Sequence, residues 1–420
     1  MAFNSTQSGT PDLGRPQSAS RAWFEPLIIV CVMCASLYFN RRRGYPIFPS
    51  RKRRRTLERI SSSDSLLDGA PGSVPHSRRG SLTDSLFASK APRFCGLIPV
   101  PPAEATERCA DHPHSRVLQK FPFLVEMFYW ALNYVAYSLT KKVAAAFYDQ
   151  GRHAVTALAQ DHGIAILTLE HNTWLSVFFP FEEVAVQSFF LNEHKSIMTF
   201  FNQIYSLVHI PGTVAFLSWY YHAAPTHTTF ATARRTLTLG NFSAFLIFCF
   251  YPCMPPRLLP PSFGFRDTVR QDHAESVWVG GANVNQLAAM PSLHFTYAFI
   301  IGCTFVYHSG LLQALQDVRT PGRSAVGMFG FLVAGVLYPL LVLTVIVATA
   351  NHYWLDASVA TLSVGLAFLL NRVWCVLLPA EQVFCWVLRV KKPVPTTGQR
   401  YGVREELDTR PKILVSEVLV

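Results

Sequence analysis

The chain has 420 residues, of which 50% are apolar, 15% are charged and 32 are Phe; soluble domains usually carry about 25% charged residues. Lysine and arginine exceed aspartate and glutamate by 37 − 26 = 11 charges. This balance excludes a set of ordinary soluble domains, and it points to an all-α polytopic membrane protein with polar tails. The basic residues lie beside apolar runs rather than on one folded face, which argues against a nucleic-acid partner.

The nine cysteines are scattered. No close-spaced framework exists for a disulfide scaffold or a zinc module, so they read as small buried hydrophobes. No metal ligand set and no cofactor motif is found.

Residues 1–22 are rich in Ser, Thr, Gln and Pro and read as a disordered N-terminus. Residues 23–39 are apolar apart from Glu25 and form an expected N-terminal anchor, close to the minimum of about 20 residues for a span. A signal peptide is the competing reading. The basic residues Arg41, Arg42 and Arg43 follow the apolar run, which suits a stop-transfer anchor with a cytosolic loop behind it.

Residues 40–118 read as that disordered basic loop. Arg78-Arg79-Gly80-Ser81 resembles a basophilic kinase site at Ser81, although motifs this short also arise by chance. The loop's basic residues either set orientation or hold anionic headgroups, and orientation is the simpler reading. Cys109, His112 and His114 have no matching second half for a metal site and read as linker.

A membrane domain is expected over 119–380, followed by a cytosolic tail over 381–420. Phe121–Leu139 is its first span. Leu169–Phe190 is interrupted by Glu170, His171, Glu182 and Glu183; four ionisable groups are costly in hydrocarbon, so a helix lying in the interface is expected. Phe200–Tyr221, Leu237–Cys253, Leu287–Tyr307, Ala325–Ala350 and Tyr353–Leu378 complete a six-helix core behind the anchor. Arg234, Arg235, Arg319, Arg323 and Arg372 then fall on the inside, as the positive-inside rule requires. Lys141 and Lys142 fall on the wrong side of this threading.

The same threading brings Arg257, Ser292, His294, His352 and Asp356 to one outer level of the bundle. His352 and Asp356 are four apart and share a helix face. Such a set suits a phosphoester reaction. A guanidinium orients phosphate oxygens by forked hydrogen bonds, and a helix N-terminus offers N–H groups to an anion. One imidazole attacks phosphorus while a carboxylate fixes its tautomer. A second imidazole protonates the leaving oxygen. Each residue also has a structural reading: a capping histidine, an i,i+4 partner, a snorkelling arginine.

Met290-Pro291-Ser292-Leu293-His294-Phe295, followed by Asn351-His352-Tyr353-Trp354-Leu355-Asp356, resembles the second and third motifs of the type-2 phosphatidic acid phosphatase superfamily. Those motifs read P-S-x-H and H-x-x-x-D. Tyr251-Pro252-Cys253-Met254-Pro255-Pro256-Arg257 is similar to the proline-rich first motif of the branch that contains fungal inositol phosphorylceramide synthases. The resemblance covers about residues 120–380. Two features depart from it. Val345 and Ile346 stand where the phosphatase form has Ser-Arg, and the first motif lacks the usual Lys.

The resemblance implies a lipid phosphotransferase that needs no metal and no cofactor. His352 would be nucleophile, Asp356 its orienting partner and His294 general acid and then base, with Arg257 and Ser292 holding phosphate. Glu170, Gln187 and His209 are further family-like positions. Glu170 and Gln187 could gate a lipid or acceptor, while His209 beside Pro211 equally suits a bundle-core histidine satisfying a freed carbonyl. The implied substrates are membrane phospholipid and sphingolipid: phosphatidylinositol as donor and a ceramide-like hydroxyl as acceptor. Water as acceptor would make it a lipid phosphatase or diphosphatase. A non-catalytic lipid-binding or transport protein is the reading from another class. The expected location is a multi-pass membrane protein of the Golgi, the endoplasmic reticulum or the plasma membrane, with its site on the lumenal or outer face.

Overall fold

A computed structural model of the chain describes residues 24–48, 93–94, 98–99, 106–148, 152–172, 174–268, 287–311 and 324–399. The expected disordered N-terminus, Ser81 and the loop bearing Arg319 and Arg323 lie outside the described residues.

The chain is mostly helical. Its helices are α1 (Phe24–Phe39), α2 (Pro113–Lys120), α3 (Phe123–Tyr148), α4 (Arg152–His171), α5 (Glu183–Glu193), α6 (Lys195–Gln203), α7 (His209–Ala223), α8 (His227–Phe250), α9 (Leu293–Ser309), α10 (Ala325–Ala348), α11 (Trp354–Leu370) and α12 (Leu378–Val387). The strands among the described residues are one two-residue antiparallel pair, Arg93–Phe94 with Ile98–Pro99.

The chain divides into two compact units, one made of Met1–Phe39, Glu126–Val373 and Thr397–Glu405, the other of Asn40–Val125, Trp374–Thr396 and Glu406–Val420. In the second unit, Arg116 of α2 is buried and donates to the carbonyls of Ile47 and Pro46, both at 2.7 Å. Gln119 donates to Lys391 O at 3.0 Å, and Arg42 N donates to Lys120 O at 2.8 Å. The reading of residues 40–118 as a disordered loop therefore gives way at its two ends. The described part of the tail likewise includes helix and hydrogen-bonded chain, as carbonyls there meet the donors that basic and amide side chains supply.

The first unit holds the expected core. α10 and the helical run Trp354–Val387 are long and apolar enough to cross a membrane. Both present leucines outward, among them Leu340 at 50% exposure, Leu362 at 74% and Leu369 at 81%. The other expected spans do not reach that measure among the described residues, so the six-helix bundle stays an expectation. α1 has 16 residues, about 24 Å at 1.5 Å per residue, against a hydrocarbon thickness of about 30 Å. α9 has 17 residues and α7 has 15. α8 begins ten residues before the expected boundary and takes in Arg234 and Arg235. Arg234 pairs with buried Glu126 of α3 at 2.6 Å.

Two boundaries differ for clear reasons. Leu169–Phe190 is not one interfacial helix. α4 stops at His171, a short 3₁₀ turn occupies Trp174–Val177, and α5 starts only at Glu183. Pro180 cannot continue a helix. In contrast, α6, a π turn over Ile204–Val208 and α7 run on continuously. The π turn lies just ahead of Pro211, whose ring removes one helix hydrogen bond.

α9 and α10 cross at two glycines. A Cβ on Gly302 would lie 2.6 Å from Gly335 O, and a Cβ on Gly335 would lie 2.8 Å from Gly302 O. Only hydrogen at both positions lets the backbones meet so closely. Around this crossing Phe295, Ala298, Val342, Val345, Ile346 and Ala357 build an apolar cluster. It fixes the start of α9 against the end of α10 and the start of α11.

Candidate active site

Three loops meet at this end of the first unit. The segment after α8 and the segment before α9 are stapled by two main-chain bonds, Cys253 N to Leu287 O at 2.8 Å and Ala289 N to Cys253 O at 3.1 Å. Arg257 N donates to Ala350 O at 2.9 Å, which ties the proline-rich motif to the turn after α10. α4 backs the same motif: Met254 N donates to Ala159 O at 2.9 Å, and His162 Nδ1 lies 2.7 Å from Pro252 O. The hydroxyl of Tyr353 donates to Met254 O at 2.7 Å. Gly163 permits this approach, since a Cβ there would sit 2.6 Å from that hydroxyl. Pairing of short loops thus brings three distant motifs together.

The histidines of the second and third motifs face each other, with ring centroids 5.9 Å apart. His352 is buried in the bend two residues before α11, not on the expected helix face shared with Asp356, because the helix starts only at Trp354. Its Nδ1 lies 2.7 Å from Ala289 O and 3.2 Å from Asp356 Oδ2. Both neighbours are acceptors, so Nδ1 carries the proton and the free ring lone pair is on Nε2. Asp356 shares this work with a carbonyl, which the motif alone did not reveal. Its Oδ2 also accepts from Tyr353 N at 3.0 Å, a helix-capping bond.

His294 is the second residue of α9, whose N-cap is Ser292. The Ser292 Oγ accepts from Phe295 N at 3.2 Å, leaving its hydroxyl proton to donate. Tyr205, from the π turn, stacks on His294 with centroids 4.1 Å apart and also faces His352 at 6.5 Å. His294 borders a small, partly open hollow also lined by Tyr205, Tyr338, Val342, Val345 and Ile346. Val345 and Ile346 are 1% and 0% exposed. Where the phosphatase motif has a hydroxyl and a cation, this chain has an apolar wall.

Arg257 is largely withdrawn from solvent, and its Nη1 pairs with Asp267 Oδ2 at 2.7 Å. Its buried Nε has no hydrogen-bond partner among the described residues. One edge of the guanidinium is therefore free to take an anion, while the other is held by a carboxylate that sequence reasoning missed. Gln187 secures the Asp267 loop. Its Nε2 donates to Arg266 O at 2.8 Å, and its Oε1 accepts from Arg266 N at 2.9 Å. Gln187 thus clamps main chain.

Glu170 and Glu183 are both buried. Glu170 Oε1 accepts from Leu355 N at 2.5 Å, and Glu183 Oε1 accepts from Trp354 N at 3.4 Å. Together with Asp356, three carboxylates occupy the first amides of α11, where a helix terminus favours negative charge. Those amides are accordingly spent on side chains. Glu170 caps this helix through Leu355 N. Burial, and next the adjacent Glu183, push the Glu170 carboxyl well above the usual carboxylate range. His209 opens α7; its side chain lies outside the described residues.

A family model described as PAP2 superfamily matches residues 165–315. The matched stretch includes Glu170, Gln187, Arg257, Ser292 and His294 and stops before His352 and Asp356. It supports a place in that superfamily and a lipid phosphatase or phosphotransferase type of activity. No curated protein and no solved structure matches the chain.

Proposed function

We propose that this chain is a multi-pass membrane enzyme that transfers a phosphoryl-containing headgroup between lipids, with phosphatidylinositol as donor and a ceramide-like hydroxyl as acceptor. The observation that carries the reading is the pair His294 and His352, 5.9 Å apart, with Asp356 behind His352.

In the first step His352 Nε2 attacks phosphorus, and the bond from phosphorus to the diacylglycerol oxygen breaks. His294 gives its proton to that oxygen. The new imidazolium is stabilised by Asp356 and the Ala289 carbonyl at Nδ1. In the second step His294 takes the acceptor's hydroxyl proton, the acceptor oxygen attacks phosphorus, and the bond to His352 breaks. Arg257 and Ser292 hold the phosphate oxygens throughout. The apolar wall of Val345 and Ile346 beside His294 favours transfer over hydrolysis, because it keeps water from that face of the cleft.

The outward leucines of α10 and α11 support seating in lipid. We place the site at the lumenal or outer face of an endomembrane or the plasma membrane. The test is purified protein supplied with headgroup-labelled phosphatidylinositol, with and without ceramide. Labelled inositol phosphorylceramide appearing only with ceramide is expected. Phosphate release from phosphatidate with no inositol lipid product would replace transfer by hydrolysis. Unchanged lipid turnover in His352→Ala would favour a binding or transport role.

A further inference from the structure

We infer that Glu170, His171 and Glu183 form a binding site for a first-row divalent cation of the zinc class, seated against the first turn of α11. One donor atom from each residue lies within 4.8 Å of the other two. His171 Nε2 is 2.8 Å from Glu183 Oε2 and 4.0 Å from Glu170 Oε2. The two carboxylates are 0% and 1% exposed at the side chain. Two acid groups so withdrawn from water need a counter-charge or must hold protons.

The independent observation is the division of labour within each carboxylate. Glu170 Oε1 accepts from Leu355 N and Glu183 Oε1 accepts from Trp354 N, so each group is fixed by main chain through one oxygen. Glu170 Oε2 is buried, meets no donor among the described residues, and lies beside the Glu183 carboxyl and 4.0 Å from His171 Nε2. Ligands of a bound metal are commonly oriented in this way, with the second oxygen held by a hydrogen-bond donor. One imidazole and two carboxylates, with water completing a tetrahedral set, suit Zn²⁺; the softer thiolate ligands are absent from the trio and the nitrogen argues against Mg²⁺ or Ca²⁺. His171 is partly exposed at 19%, which gives an ion its way in. Binding would displace the proton on His171 Nε2 and any proton shared by the two acids.

Such an ion would join the end of α4 and the start of α5 to the helix that carries Asp356 and directly follows His352. The inference does not rest on the lipid chemistry, because metal content is read without turnover.

The test uses the full chain in detergent, loaded with Zn²⁺, washed and analysed for metal. About one Zn²⁺ per chain is expected in the wild type, with a melting temperature that rises on adding Zn²⁺. Glu183→Gln and His171→Ala should lose the ion and the rise. If Glu183→Gln fails to fold, His171→Ala decides the matter, since that side chain is partly exposed. Wild-type protein that retains no Zn²⁺ and shows no thermal response would overturn the site, and so would His171→Ala holding the ion as tightly as wild type. Either outcome would leave a proton shared between Glu170 and Glu183 as the occupant.

Discussion

Arg257 and Asp267 form an ion pair, Nη1 to Oδ2 at 2.7 Å, and both side chains are largely removed from solvent. The guanidinium proposed to receive phosphate is thus already engaged on one edge. An incoming anion must share it or displace the carboxylate, and charge-assisted bonds of this type are among the stronger ones. Replacement by Asp267→Asn should free the guanidinium and tighten orthovanadate inhibition by about three- to tenfold, on the order of 1 kcal/mol. Arg257→Ala should weaken the same inhibition. Inhibition curves for the two variants check this, and weaker inhibition in Asp267→Asn would mean that the carboxylate instead holds Arg257 in its working orientation.

Ile346 is fully buried, and its carbonyl accepts from Asn351 N at 3.0 Å and His352 N at 3.2 Å. The arginine of the phosphatase motif cannot simply be restored here. Ile346→Arg would place an unpaired charge in an apolar cluster, at a cost of about 3–5 kcal/mol. Ile346→Val should cost about 0.5–1.5 kcal/mol. Thermal denaturation should show a large loss for the first and a small one for the second. A stable Ile346→Arg protein with raised phosphate release would show that the site can accept the missing cation.

Gly163 and Gly302 both lie where a Cβ would come within 2.6 Å of another atom, yet their neighbours differ. At Gly302 the neighbour is the backbone of α10; at Gly163 it is the Tyr353 hydroxyl, next to His352. Overpacking of this kind costs about 1–3 kcal/mol. Gly302→Ala should lower the melting temperature while folded protein keeps its turnover. Gly163→Ala should lower kcat as well, by prising Tyr353 from Met254. Melting curves and kinetics on the folded fraction separate the two, and normal kcat in Gly163→Ala would remove the link to the site.

Much of this site was legible in the residues themselves. His294, His352 and Asp356 stand out because imidazoles and an acid beside long apolar runs are costly, and their spacings match known motifs. Asp267 and Tyr205 did not stand out, and His171 and Glu183 stood out only as ionisable groups breaking an apolar run, with no partner in view. Their partners are distant in the chain: Glu183 meets Trp354 across 171 residues, and no periodicity encodes such a contact. Tyr205 reaches His294 from a π turn that a 3.6-residue pattern does not describe. The break between α4 and α5 had a visible signal in Pro180, outweighed by the apolar residues around it.

The account rests on a covalent link between His352 and the transferred group. Protein mixed with phosphorus-labelled phosphatidylinositol, without acceptor, and quenched in alkali should carry label on His352 that is stable to base and lost in acid. His352→Ala should carry none, and His294→Ala should form it slowly. Label that persists in His352→Ala, or a wild-type enzyme that turns over lipid yet never acquires label on quenching, would contradict the mechanism.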